Sequence, residues 1–346
     1  MLPYWLMFTM WSLGAVQTER RRAQNVRILF VGAAVITALM IGLRSEVGGD
    51  WGTYQRMYDA VYFLSLPDAM KTTDPGYAAL CWLATQAEMG IVFVNLMCAA
   101  LFMGGVARLS WQQPNPALAV LIAVPYLIIV VAMGYTRQAA AIGIICFAVA
   151  NVSERHLVRL VVLVGIAALF HKTAVLMLPL LLVPVLRRNP IYGVLGAFLF
   201  VALFILVLRD TSDRLVTNYV QGDYDSQGAA IRVTMNVIAA ILFMMLHKRI
   251  ELPSFQKSFW FVCSILSLLA VPALLFSSAS SGIDRISLYL IPLQIILYAR
   301  LPYILGERVK ALPSVLIAVV IYCFLVQFVW LNYASNAYYW VPYKIS

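Results

Sequence analysis

The chain has 346 residues, of which 63% are hydrophobic and only 12% charged, with a mean hydropathy of +0.87. Soluble domains carry about 25% charged and about 45–50% apolar residues, so an ordinary water-solvated domain is excluded. The formal charge of +10 would suggest nucleic acid as partner to a soluble protein; in a lipid-solvated chain it first asks which side of the membrane holds the Lys and Arg residues.

A hydrocarbon core needs about 20 apolar residues per crossing helix, and runs of that kind are cut here by charge, Pro and Gly. The first candidate spans are 2–16 and 27–43, separated by Glu19, Arg20, Arg21 and Arg22. No small-residue cleavage site follows the first run, which therefore reads as a retained helix. A polar loop over 44–90 comes next and includes a short apolar segment at 77–87, which reads as an interfacial or re-entrant helix. Further spans fall at 91–108, 117–133, 138–152, 157–170, 173–186 and 191–208. The three at 138–152, 157–170 and 173–186 are short, as expected of helices that are tilted, buried by neighbours or ended at a cavity. A second polar loop covers 209–230, and spans at 231–247, 258–276, 286–300 and 311–331 follow. The tail holds Tyr333, Tyr338, Tyr339, Trp340 and Tyr343, a composition suited to a headgroup layer.

The expected fold class is therefore an all-α polytopic integral membrane protein of about twelve transmembrane helices, a single domain over 1–346. Its orientation follows from the short loops. With alternate loops starting at Glu19–Arg27 assigned to the cytoplasm, that side holds 15 Lys and Arg against 4 acidic residues, and the other side 10 against 11. Both termini then lie outside. The five cysteines sit in apolar stretches without a CxxC pair and read as packing residues.

The outward side carries Arg44, Arg137, His171, Lys172, Arg232 and Arg285 at span ends. Each alone could be an interfacial anchor, whereas together they suit one electropositive cavity for a phosphorylated ligand, which guanidinium groups bind in bidentate fashion. The stretch from Arg44 through Gly48, Gly49, Asp50 and Gly52 to Tyr54 lets backbone approach a ligand and offers a carboxylate and a phenol to sugar hydroxyls. It also reads as a glycine-rich turn with Asp50 as a helix cap. Ala139, Ala140, Ala141 and Gly143 after Arg137 and Gln138 permit close helix packing. His171 is the only outward histidine and a general-base candidate. The DxD spacing of Asp223 and Asp225 is weak support for a metal, and none is expected; HExxH, GxSxG, Walker and dinucleotide signatures are absent from the sequence.

The order Arg44, Gly49-Asp50, Tyr54; Asp74-Pro75-Gly76-Tyr77; Arg137-Gln138, Ala141; Phe170-His171, Thr173-Ala174; and Arg285, Tyr289, Pro292 resembles the EpsG/Wzy-type polysaccharide polymerases, which make O-antigen or exopolysaccharide. Asp74 stands where that family more often carries Glu. The resemblance implies a bacterial inner-membrane glycosyltransferase working on the periplasmic side without cofactor or metal. It would transfer a growing glycan from undecaprenyl pyrophosphate to the non-reducing end of a lipid-linked repeat unit. Lipid-linked repeat units and membrane lipid are the implied partners, with a flippase and a chain-length regulator alongside and no nucleic acid. On this reading Arg137 and Arg285, with Arg44 or Arg232, hold pyrophosphate, and His171 or Asp50 activates the acceptor hydroxyl. Tyr54, Tyr77, Gln138 and Asp74 contact substrate. An oligosaccharide ligase with the same donor, a lipid-linked glycan transporter and a non-catalytic assembly subunit are the alternatives.

Overall fold

The computed structural model describes residues 1–18, 24–151, 156–186, 228–276, 280–309 and 312–345, with a few helical residues between 191 and 202. Most of the expected span at 191–208 and most of the loop at 209–230, Asp223 and Asp225 included, lie outside the described residues. Among those described the architecture is helical, and Arg44 and Ile345 form an isolated antiparallel bridge.

Helices occupy the other expected intervals: α1 (Leu2–Thr18), α2 (Gln24–Gly42), α6 (Gly90–Trp111), α7 (Pro116–Ala123), α8 (Thr136–Asn151), α9 (Leu157–Phe170) and α10 (Met177–Leu186). They continue with α11 (Ala229–Leu246), α12 (Ser254–Phe276), α13 (Ser280–Ser287), α14 (Pro292–Tyr298), α15 (Leu301–Val309) and α16 (Leu312–Tyr333). Among the described residues, five stretches are long and apolar enough to cross a membrane: Gly90–Trp111, Ala229–Leu246, Ser254–Leu275, Gly282–Leu305 and Leu312–Tyr333. Shorter apolar helices lie at Val26–Gly42, Pro116–Ala132, Thr136–Asn151, Val158–Phe170 and Lys172–Leu182. Length and apolarity thus support five crossings among the described residues and leave the other expected spans unconfirmed.

The core is centred on α7. It runs on into a π-helical stretch, Val124–Ala132, and every residue from 117 to 134 is buried. A helix apolar all round belongs inside a bundle or a bilayer, and α7 packs against α1, α6, α14 and α16. The widened helix, which begins at Val124 and Pro125, was not legible in the sequence. The outer helices instead expose apolar side chains in stripes: Leu2, Leu6 and Leu13 on α1, and Ile317, Ile321, Phe324 and Phe328 on α16. Such extended apolar surface is compatible with lipid and not with water.

The small residues after Arg137 act as expected in one place. A Cβ on Gly105 of α6 would fall 1.7 Å from the Gly143 carbonyl oxygen of α8, so these backbones touch and neither position has room for a side chain.

The loop at 44–90 is built of three helices: α3 (Trp51–Asp59), α4 (Leu66–Ala69) and α5 (Pro75–Gln86). The last matches the short helix expected at 77–87. It packs on α6 and α9, with Tyr77, Ala78, Cys81 and Ala84 fully buried. The tail departs from a simple headgroup layer. Tyr333, Tyr338 and Tyr339 are exposed, but Trp340 is buried, donating to the Ile129 carbonyl at 2.8 Å and accepting the Tyr4 hydroxyl at 2.6 Å on its own carbonyl. The Gly48 amide donates to the Tyr339 carbonyl at 2.9 Å and the Ser45 amide to that of Lys344 at 3.0 Å. The tail therefore straps the glycine-rich turn to the bundle.

Candidate active site

The N-terminal ends of α3, α5, α8 and α11 and the short helix α13 meet at one end of the bundle, carrying most of the polar residues singled out in the sequence. The N-terminal ends of helices carry positive partial charge and unpaired N–H groups, which already favours an anion there.

Arg137, on the first turn of α8, donates through Nη1 to Asp74 Oδ2 at 2.6 Å and to Thr73 Oγ1 at 2.7 Å. Asp74 is the N-cap residue of α5, makes no side-chain capping bond, and accepts the Lys172 amide at 3.2 Å on its other oxygen. One carboxylate thus joins α5, α8 and the start of the 3₁₀ turn Lys172–Leu176. The guanidinium sits 5.9 Å from the ring centres of both Tyr54 and Tyr77, which are themselves 5.7 Å apart. The Arg137 side chain keeps 20% of its surface exposed and Asp74 only 9%. Burial pushes the Asp74 carboxyl above its usual range despite the opposing pull of Arg137.

Arg285, on α13, is presented differently. Its side chain is exposed and forms no ion pair among the described residues, while its backbone is held. Gln138 Nε2 donates to the Arg285 carbonyl at 2.5 Å, and Asn236 Nδ2 of α11 donates to the Ser287 carbonyl at 2.9 Å. Next to it, Asp284 accepts two bonds from Arg232, through Nε and Nη2, and Arg232 Nη1 donates to the Tyr126 hydroxyl at 2.7 Å. Three successive holds therefore fix α13 and leave the Arg285 guanidinium outside.

Asp50 is the N-cap residue of α3, as the sequence allowed, but its side chain makes no capping bond. The carboxylate is half-buried. Burial pushes its pKa up, and the guanidinium groups of Arg285 first and Arg137 second pull it back. Asp50 is thus within electrostatic reach of both guanidinium groups. His171, at the junction after α9, is buried, with Nδ1 2.5 Å from Thr173 Oγ1 and 3.5 Å from the Tyr289 hydroxyl. Burial, then the charges of Arg137, Arg285 and Lys172, push its pKa down to about 3, so the imidazole is neutral at physiological pH and a weak proton acceptor.

Other residues expected at a ligand are placed inside the protein. Arg44 is 1% exposed; its Nε donates to the Met133 carbonyl at 2.9 Å, Nη1 to the Ile41 carbonyl and Nη2 to Thr136 Oγ1 at 2.6 Å. It ties the C-terminal ends of α2 and of the π-helical stretch after α7 to the start of α8. Gly48 (φ +104°) lies where a Cβ would come 2.3 Å from that same Met133 oxygen, so the close backbone approach read from the glycines is to the protein's own chain. Arg232 is spent on Asp284 and Tyr126, Gln138 on the Arg285 backbone, and Tyr77 is fully buried behind Arg137. Tyr54 is 5% exposed. Sequence reasoning missed Thr73, Asp284 and Tyr126, which hold Arg137 and Arg232, and Asn236, which holds the backbone of α13. An Asp directly before Arg285, at the end of a serine-rich stretch, was the available signal.

Among the described residues no three His, Cys, Asp or Glu side chains converge as metal ligands. No curated protein and no solved structure matches the chain. A family model described as the EpsG family matches residues 27–345, and with nearly its whole length covered the chain belongs to that family of Wzy-type polysaccharide polymerases.

Proposed function

We propose that this chain is a lipid-pyrophosphate-dependent glycan polymerase of the bacterial inner membrane, crossing it about twelve times as a single domain, with its site and both termini on the periplasmic side. The observation that carries the reading is the convergence of an open guanidinium, Arg285, a half-open one, Arg137, and an uncapped carboxylate, Asp50, at one end of the helices.

The acceptor hydroxyl of a repeat unit attacks the anomeric carbon of the growing glycan. The bond to the undecaprenyl pyrophosphate oxygen breaks, and the pyrophosphate leaves with the electron pair. Pyrophosphate is a competent leaving group, so catalysis is mainly positioning and stabilisation of the charge developing on the bridging oxygen. Arg285 supplies the fork that binds the diphosphate, and Arg137, oriented by Asp74 and Thr73, supplies the second. Asp50 takes the hydroxyl proton: its side chain makes no capping bond, it lies within electrostatic reach of both arginines, and its affinity for a proton is raised by burial. Neutral His171, tied to Thr173 and Tyr289, serves as a hydrogen-bonding group and not as the base. Arg44, Arg232, Gln138 and Tyr77 hold the site in shape, and Tyr54 packs the face of Arg137. No metal or other cofactor takes part in this scheme.

Purified protein given one species of lipid-linked repeat unit tests the reading. A ladder of products is expected. Product only after a second, chemically different acceptor is added would make the chain a ligase instead.

A further inference from the structure

At the opposite end of α11 from the Arg232–Asp284 pair, a cavity of about 620 Å³ lies where α11 turns into α12. Along the helix axis about 22 Å separates Arg232 from His247, at 1.5 Å per residue. His247, Lys248 and Lys257 line the cavity together with the apolar Phe261, Val262 and Ile265, with no acidic residue among the lining groups. Lys257, Phe261 and Ile265 are spaced four apart on α12 and so form one line, with the cation in the helix's first turn and the apolar groups deeper along it. Lys257 is half-buried, Ile265 is 39% exposed, and neither lysine forms an ion pair among the described residues. The His247 ring packs against Phe261 with centres 5.7 Å apart, its Nδ1 within 2.6 Å of the Met244 carbonyl.

A half-buried ammonium without a counter-ion is costly unless an anion meets it. Lysines that serve orientation alone need to lie on one side of the membrane; they need neither a cavity nor an apolar line running inward from the charge. A cation at the rim with apolar side chains below it is the complement of a phosphate ester carrying an acyl chain. The cavity is large enough for a headgroup and the first carbons of its chains, which then run over the exposed side of Ile265 into the surrounding lipid.

We propose that this cavity is a binding site for an anionic phospholipid, its phosphate held by Lys248 and Lys257 and its acyl chains lying on Phe261, Val262 and Ile265. The site is separate from the catalytic end, and its occupancy does not depend on the polymerase reading.

The test uses the full-length protein, delipidated in neutral detergent, with bound lipid counted by native mass spectrometry. Phosphatidylglycerol is expected to be retained one per chain, and phosphatidylethanolamine and glycerol 3-phosphate not. The double variant Lys248→Gln, Lys257→Gln should bind phosphatidylglycerol about 25-fold more weakly, at about fivefold per basic group near an anionic lipid. Lys257→Arg, which keeps the charge, should bind as the wild type does, and an unchanged thermal midpoint of the double variant shows that its loss of binding is not misfolding. Equal binding of phosphatidylglycerol by wild type and double variant, or equal retention of phosphatidylethanolamine, overturns the proposal. Glycerol 3-phosphate binding as tightly as the lipid also overturns it, by making the cavity a site for a soluble anion.

Discussion

Arg232 and Asp284 face each other through two parallel hydrogen bonds that tie the first turn of α11 to α13, one residue before Arg285. Their side chains are 11% and 12% exposed, so each needs the other. Removing one partner leaves an uncompensated buried charge, which costs about 3–5 kcal/mol, whereas replacing both by apolar groups of similar size is often neutral. Arg232→Met and Asp284→Leu should each lower the thermal midpoint of the detergent-solubilised protein, and the double variant should regain most of it. A double variant as unstable as the two losses added together would mean that the pair is not acting as a pair.

Arg44 is the second cation that serves the fold. Its planar guanidinium reaches two backbone carbonyls and a hydroxyl from different directions, a geometry that a lysine ammonium on a single stem cannot copy. Arg44→Lys should leave at least one carbonyl unpaired at a cost of about 1–3 kcal/mol. The expected readout is reduced accumulation in the membrane and a lower midpoint, with activity per folded molecule retained.

The raised affinity of Asp50 for its proton sets a pH dependence. A base must be deprotonated to act, and a carboxyl pKa above the ordinary value of about 4 moves the acid limb of the rate profile to higher pH. Activity should therefore fall on acidification earlier than an exposed carboxylate would give. Asp50→Asn should abolish turnover while binding of the lipid-linked donor persists; an Asp50→Asn protein with the wild-type profile would remove this residue from proton transfer.

His171 should behave as a neutral group throughout the working range, because its pKa of about 3 lies far below it. His171→Asn, which can still accept from and donate to Thr173 and Tyr289, is expected to keep a measurable fraction of activity with an unchanged acid limb. An acid limb that disappears in this variant would return the base to the histidine.

The sequence located the polar end of the molecule but not the division of labour within it. Arg137, Arg285, Asp50 and His171 could be assigned to one side because charge near helix ends is constrained by topology, and Gly143 could be read as a packing position because only small residues let helices touch. The fates of the cations depended on partners far along the chain. Asp74 lies 63 positions from Arg137, and Asp284 lies 52 from Arg232. A guanidinium at a span end looks the same in a sequence whether it is neutralised, as Arg232 is, or left open, as Arg285 is. Burial was likewise illegible for Arg44 and Tyr77, since helices that face apolar protein on one side and apolar lipid on the other lose the amphipathic contrast that normally tells inside from outside.

Arg285 carries the central claim, because it is the open guanidinium on a helix segment that Gln138, Asn236 and Arg232 together hold in place. The most direct measurement is the product-length distribution made in proteoliposomes from a single lipid-linked repeat unit by wild type, Arg285→Ala and Arg285→Lys, with thermal midpoints recorded for each. The account predicts a ladder from the wild type and almost no product beyond the starting unit from Arg285→Ala. Arg285→Lys should be severely reduced because the fork is lost, and all three proteins should be equally stable. A full ladder from an equally stable Arg285→Ala protein would contradict it.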